Sequence, residues 1–109
     1  MKLEPDSDIH LVIANGGPGQ RTMITELPHP ACVHGAVPAV KKEMAQARRA
    51  LIDACGEPLR SRYIYLRGTA RITGVAFYDT EHGQFGAASQ GIELHPVLQF
   101  KTRECRIVQ

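Results

Sequence analysis

The 109-residue sequence has no tryptophan, few aromatic residues and no apolar run close to the roughly 20 residues that a membrane-spanning helix needs. Residues 1–8 are polar, unlike the apolar centre of a secretory leader. These absences predict a protein that does not associate with membranes and lies in the cytoplasm.

The three cysteines, Cys32, Cys55 and Cys105, form no Cys-x-x-Cys pair and have no zinc-finger spacing. An odd number of cysteines without a leader predicts reduced thiols in a cytoplasm-like compartment. The glycine-rich segment 15–19 lacks the Gly-Lys-Ser/Thr ending of a phosphate-binding loop, and a strand rather than a helix follows it. That segment is predicted to be a hairpin turn.

Length and composition predict one globular domain over residues 1–109, since a second domain has no room. The net charge is only +2, but residues 41–71 carry eight Lys or Arg against three acidic residues. This basic middle is suited to contact with a polyanion. Surface charge is more often simply solvated, so an exposed helix face is the plainer interpretation.

Periodicity predicts one helix among several strands. Apolar residues recur every three or four positions over residues 38–55, with Pro38 at the start and Gly56 after the end, which is typical of an amphipathic helix. Alternating patterns predict strands over residues 9–14, 21–27, 62–79 with a bend at Gly68, 92–100 and 104–108.

This element order predicts an α+β domain, mainly antiparallel sheet or an open OB-like small barrel with one covering helix at about 38–55. A closed barrel needs another strand before Ile9, and residues 1–8 are short and acidic. The barrel is therefore expected to be open, or its exposed edge to be covered by a second copy in a homodimer.

The stretch 69–100 carries the densest set of ligand-type side chains. Its first run is apolar on both parities, which predicts a buried strand. In its second run Glu93 and His95 fall on one face, and Pro96 predicts either an edge strand or a bend.

Asp79, His82, Glu93 and His95 are predicted to gather where two strands meet the glycine loop. Carboxylate and imidazole together suit Zn²⁺ or Mn²⁺, so a metal-dependent phosphodiester or ester hydrolase is one hypothesis. His10 and Glu26 are further candidates for such a site. The competing interpretation is structural: Asp79 bonds loop amides, and Glu93 with His95 forms a buried polar pair. A third interpretation is that the same four residues form a binding site without catalysis.

A second group of side chains is typical of oligomer binding. Phe85, in the glycine loop, is able to stack on a base or sugar or to pack into the core. Arg67 and Arg71 follow the strand aromatics Tyr63 and Tyr65, as expected of a binding face, although strand aromatics are more often core.

Four segments carry a resemblance: DSDIHLVIA, TMITELPHPAC, GTARITGVAFYD and HGQFGAASQGIELHPVL. Together they resemble a family of small uncharacterised bacterial proteins, often secreted or envelope-linked, with a D-x-D-x-H-L-V strand and a C-terminal G-I-E-L-H-P-V-L motif. The resemblance spans about residues 6–100 and implies no particular reaction. More chain precedes the first strand in that family, which puts barrel closure in question here.

The hypothesis that these patterns favour is a small binding module without catalytic residues or a required cofactor, with nucleic acid or another oligomeric polyanion as partner. The alternatives are the metal-dependent hydrolase and a self-associating interaction protein.

Overall fold

The computed structural model describes residues 1–16, 19–32, 35–79, 83–88 and 91–108. Five strands and one α-helix make up these parts of the chain, with a short 3-10 helix at Pro30–Cys32. The elements are β1 (Lys2–Leu3), β2 (Ile9–Ala14), β3 (Thr22–Leu27), α1 (Pro38–Cys55), β4 (Tyr65–Tyr78) and β5 (Ile92–Val108).

The strands form one open sheet in the order β1-β2-β3-β5-β4, antiparallel except between β3 and β5. The helix connects β3 to β4 and packs chiefly on β5. The predicted α+β class, with a mainly antiparallel open sheet and one covering helix, is confirmed. No helix in the described residues has the length and apolar character that crossing a membrane requires.

The β2–β3 hairpin directs apolar side chains to one face of the sheet and the ionisable pair His10 and Glu26 to the other. Its register pairs Ile9 with Leu27 and Ala14 with Thr22, so alternate residues face opposite sides. Ile9, Leu11 and Leu27 pack in the core with the helix. His10 and Glu26, directly opposite each other, face the other way.

The helix begins at Pro38 and ends at Cys55, as predicted. Met44, Ala47, Leu51 and Cys55 are its buried residues, at steps of three and four that keep one stripe against the sheet. After Cys55 the chain leaves the helix at Gly56, whose N–H donates to the Ile52 carbonyl at 2.9 Å.

A disulfide joins Cys55, at the end of α1, to Cys105 on β5, with Cα atoms 5.0 Å apart. The prediction of reduced thiols is therefore wrong for these two residues. A separation of 50 residues gives no spacing motif, and only the packing of the helix on β5 brings the two sulfurs together.

The prediction that residues 72–79 form a buried strand is also wrong. β4 lies at the edge of the sheet, and Val75 and Phe77 are 48% and 47% exposed. Apolar residues on both parities are typical of a strand covered on both faces, but here neighbouring elements leave much of β4 uncovered.

One continuous β4 runs through Gly68, as predicted. A Cβ at Gly68 would collide with the Glu104 carbonyl oxygen, so glycine is required for the close approach to β5. The register with β5 shifts just after it, between Thr69 and Arg71.

The two predicted strands at the end of the chain are one strand, β5, which lies between β3 and β4 and not at an edge. Pro96 falls where its register with β4 shifts, which agrees with the predicted bend. At the opposite edge, β1 pairs with β2, and the Leu3 N–H donates to the Leu59 carbonyl at 2.8 Å.

Candidate functional site

The predicted ligands on β5 lie near the exposed aromatic end of β4. Glu93 is 5% exposed and lies opposite Phe77. The His95 ring is partly buried, with its centroid 5.7 Å from that of Phe77 in an edge-to-face arrangement. Asp79 donates its backbone N–H to the Gly91 carbonyl at 2.9 Å, which closes the base of the loop.

His82 lies outside the described residues, so the four-residue cluster of Asp79, His82, Glu93 and His95 stays a prediction. Among the described residues, Asp79, Glu93 and His95 are not part of any group of three with metal-ligand spacing.

Within the same described ranges, one other set of side chains has that spacing: Glu4, His10 and Glu26. One ligand atom from each lies within 4.8 Å of the others. His10 Nδ1 is 3.3 Å from Glu26 Oε1 and 3.6 Å from Glu4 Oε2. The side chains of His10 and Glu26 are 5% and 10% exposed, whereas that of Glu4 is 34% exposed and forms the solvent side of the group.

A tight turn between β1 and β2 places Glu4 beside His10. The Glu4 N–H donates to the Asp8 carbonyl, and the Ser7 N–H donates to the Glu4 carbonyl, both at 2.8 Å. Arg60 holds the turn from outside, donating to the Glu4 carbonyl at 2.9 Å and to Ser7 Oγ at 2.8 Å. These bonds fix the backbone of Glu4 beside His10, and none of them involves its partly exposed carboxylate.

The tautomer of His10 follows from its hydrogen bond to the loop. Nε2 lies 3.0 Å from the Phe85 carbonyl oxygen, and a carbonyl oxygen only accepts. Nε2 therefore carries a hydrogen. In the neutral ring Nδ1 then has a lone pair, and this lone pair points at two carboxylates.

Aromatic rings cover this group. The His10 and Tyr63 ring centroids are 5.6 Å apart, edge to face, and Phe85 lies 4.7 Å from Tyr63. Phe85 is 53% exposed, so it packs on a neighbouring ring at the surface and not in the core. The structure thus brings Phe85, a predicted binding residue, to His10 through its carbonyl, while its ring packs on Tyr63, which in turn contacts the His10 ring.

The loop reaches His10 only because residue 86 is a glycine. A Cβ at Gly86 would collide with Val12 Cγ2, and the φ of Gly86 is +83°. Val12 is two residues from His10 on the same face of β2.

The environment of this group raises the pKa values of His10, Glu26 and Tyr63. Burial raises the pKa of Glu26 to about 7; the hydrogen bond with His10 opposes this shift and the nearby Glu4 carboxylate adds to it. Burial by itself would lower the pKa of His10, but the bonds to Glu26 and to the Phe85 carbonyl, with the two carboxylate charges, raise it overall. Burial and the same carboxylates raise the pKa of Tyr63.

A separate basic surface lies on β4 and β5. Two pairs of cations face each other directly across the ladder: Arg67 with Arg106, and Arg71 with Lys101. All four residues are exposed. An open groove of about 460 Å³ follows the register shift between the pairs, lined by Thr69, Ala70, Arg71, Lys101, Thr102 and Arg103.

The sequence marks His10 and Glu26 only as additions to the Asp79 cluster, and no sequence pattern marks Glu4. The hairpin register was the available signal, because a turn centred on residues 15–21 pairs His10 with Glu26. For Glu4 the sequence gives no such signal, since its position depends on a turn held by Arg60 from 56 residues away.

No protein-family model, curated protein or solved structure matches this chain. The resemblance to the family with the G-I-E-L-H-P-V-L ending remains a prediction, and a function can be inferred only from the geometry.

Proposed function

We propose that this chain is a non-catalytic binding module for single-stranded nucleic acid or a polyanion of similar phosphate spacing. The binding surface is the basic arm, which we define as residues 65–71 of β4 with residues 101–108 of β5. The observation that carries the proposal is the presence of two pairs of directly opposed cations, Arg67 with Arg106 and Arg71 with Lys101.

Like charges directly opposite each other weaken a strand pair. The basic arm has two of these opposed pairs. The four cations of these pairs therefore concentrate positive charge without adding to the stability of the fold. A chain of phosphates bound along the arm would relieve both repulsions, and guanidinium groups are suited to bidentate phosphate contacts.

An exposed aromatic ring accompanies the charges. Tyr65 is 68% exposed. Every second residue from it along β4 is Arg67, Thr69 and Arg71, so the four residues share one face of the strand. A ring beside phosphate-binding cations supports base stacking, the usual mode of single-strand binding without sequence preference.

The strand order gives further support for an OB-like module. The helix lies between β3 and β4, and β3 runs beside β5 in a five-stranded sheet, as expected for the OB fold. OB domains commonly bind oligomers on the face of their second and third strands. Here the charge lies on β4 and β5, so the proposed surface is a different one.

The test is fluorescence anisotropy with a labelled oligothymidylate of roughly 12 nucleotides, within the range that one OB domain covers. We expect Arg71→Gln/Lys101→Gln to weaken binding by about tenfold at about 50 mM salt, since two phosphate contacts are lost.

The matched control is Lys41→Gln/Lys42→Gln, which removes two exposed charges from α1. It is expected to bind within about twofold of the wild type, because non-contacting charges act only at long range. Equal losses in both variants, or no binding by the wild type at low salt, would overturn the proposal.

Self-association is a second candidate function, favoured by the edge position of β4. Val75, Phe77 and Tyr78 are 48%, 47% and 70% exposed on this edge strand. Such an edge is suited to pairing with a second copy. Light scattering at high concentration tests this: a dimer that Val75→Lys makes monomeric supports it, and a monomeric wild type rejects it.

For the cellular location, the Cys55–Cys105 disulfide supports an oxidising compartment over the predicted cytoplasm, because disulfides persist where thiols are not kept reduced. Finding Cys55 and Cys105 joined in protein isolated under thiol-blocking conditions from its native source would support this location. Finding both alkylated would support the cytoplasm.

A further inference from the structure

The Glu4–His10–Glu26 group has a donor set that a metal ion would complete. His10 donates its Nε2 hydrogen to the Phe85 carbonyl, leaving Nδ1 directed at two carboxylates. Histidines that bind a metal through one nitrogen almost always donate the other N–H to a carbonyl or carboxylate. Nδ1 of His10 therefore has the orientation of a ligand atom.

The separations between the donor atoms agree with a four-coordinate ion. Zinc bonds of 2.0–2.2 Å to nitrogen and oxygen place tetrahedral ligands about 3.3–3.6 Å apart. His10 Nδ1 lies 3.3 Å from Glu26 Oε1 and 3.6 Å from Glu4 Oε2. The third separation is within 4.8 Å, and rotation of the partly exposed Glu4 carboxylate is able to shorten it.

Glu26 provides an independent indication of a ligand. The residue is 8% exposed, and its Oε2 atom is buried without a hydrogen-bond partner in the described part of the chain. A buried carboxyl oxygen without a partner is costly, and a bound cation would satisfy it.

We infer that Glu4, His10 and Glu26 bind one divalent transition-metal ion of the zinc class. One imidazole and two carboxylates suit Zn²⁺ better than Mg²⁺, which prefers an octahedral set of oxygens and retains its waters. This inference is independent of polyanion binding, since the basic arm shares none of these residues.

The main expected effect of the ion is to stabilise the folded state. Its ligands come from the β1–β2 turn, from β2 and from β3, so one ion cross-links three successive parts of the chain. Three protein ligands leave one position of a tetrahedral ion for water or a ligand group, on the side of Glu4.

The test uses untagged, chelator-treated protein and isothermal titration with Zn²⁺ at neutral pH. The wild type is expected to bind one equivalent and to gain thermal stability, because the ion binds the folded state. Mg²⁺ at the same concentration is expected to produce neither effect.

Glu4→Gln and Glu26→Gln each remove a ligand while keeping the size of the side chain. Each is expected to weaken zinc binding by at least roughly tenfold, since even outer-shell changes at metal sites have effects of about that size. Glu57→Gln, an exposed residue outside the group, is the control and is expected to bind like the wild type.

Circular dichroism verifies that each variant is folded. If Glu26→Gln does not fold, Glu4→Gln still decides, because Glu4 is the least buried of the three. The inference is overturned if the wild type binds no equivalent of Zn²⁺, or if folded Glu4→Gln binds as tightly as the wild type, which would place the ion on other surface groups.

Discussion

Arg67 of β4 lies directly opposite Arg106 of β5 in the antiparallel ladder. Arg71 and Lys101 repeat this arrangement a few residues further along. Opposed cations weaken the ladder, and under the proposed function a bound polyanion would relieve this repulsion.

Arg106→Glu should therefore change stability and binding in opposite directions. Attraction between the introduced carboxylate and Arg67 replaces repulsion, so we expect the free energy of unfolding to rise by up to about 1 kcal/mol. Affinity for an oligonucleotide should fall, because a phosphate contact is lost and an anion is added. Urea unfolding and anisotropy measure the two quantities.

Arg62→Glu is the control for that prediction, since it reverses an exposed charge outside the strands. It should leave the urea midpoint unchanged. If Arg106→Glu lowers the free energy of unfolding as well as weakening binding, repulsion between Arg67 and Arg106 does not destabilise the folded protein, and the prediction is contradicted.

The raised pKa of Glu26 predicts a pH-dependent stability for protein kept metal-free with a chelator. The pKa rises from 4.5 in the unfolded chain to about 7 in the fold, beside His10, Glu4 and Tyr63. Between these values the folded state binds more protons, so stability is fully present below about 4.5 and is lost as the pH rises through about 7. The raised pKa of His10 acts in the same direction.

Melting temperatures measured across this pH range test the prediction. Glu26→Gln should flatten the decline, because the amide does not titrate, whereas Glu43→Gln on the exposed side of α1 should retain it. An unchanged slope in Glu26→Gln would assign the titration to another group.

Reduction of the Cys55–Cys105 disulfide should lower the free energy of unfolding by about 2–4 kcal/mol, since the bond closes a long loop in the unfolded chain. The midpoint of urea unfolding, measured with and without reductant, gives this value. Cys55→Ala/Cys105→Ala should unfold like the reduced wild type and should not respond to reductant. A wild type that alkylating reagents modify at both positions before reduction would contradict the pairing.

The glycine loop offers a matched pair of substitutions. Gly86 and Gly83 have nearly equal φ values of +83° and +84°, but only at Gly86 does an added Cβ meet another residue, Val12. Gly83→Ala should show the backbone strain alone, of order 1 kcal/mol. Gly86→Ala should lower stability further and weaken the Phe85–His10 bond, seen as a shift in the His10 imidazole NMR signals. Equal losses in the two variants would mean that the loop does not pack on β2.

Local patterns were sufficient to predict the α1 boundaries and the β2 and β3 strands. Pro38, Gly56 and the repeat of Met44, Ala47 and Leu51 act within one helix, and alternation acts within one strand. The same patterns were insufficient for β4, because two apolar parities do not indicate whether neighbouring elements cover the strand.

Contacts between distant segments were beyond local patterns. Cys55 and Cys105 are 50 residues apart, and the Phe85 carbonyl is 75 residues from His10. Glu93 and His95 stand out in the sequence because they are close together in the chain. In the described residues, the group with ligand spacing instead combines the half-buried Glu4 with the buried His10 and Glu26, through a turn and a hairpin.

The salt dependence of oligonucleotide binding tests the central claim most directly. If phosphates bind the basic arm, the logarithm of the association constant should fall linearly with the logarithm of salt concentration between about 50 and 200 mM, at about −0.7 per phosphate contact on a single strand. We expect Arg71→Gln/Lys101→Gln to reduce that slope by one to two contacts. Absent or salt-independent binding in the wild type, or an unchanged slope in the variant, would contradict the account.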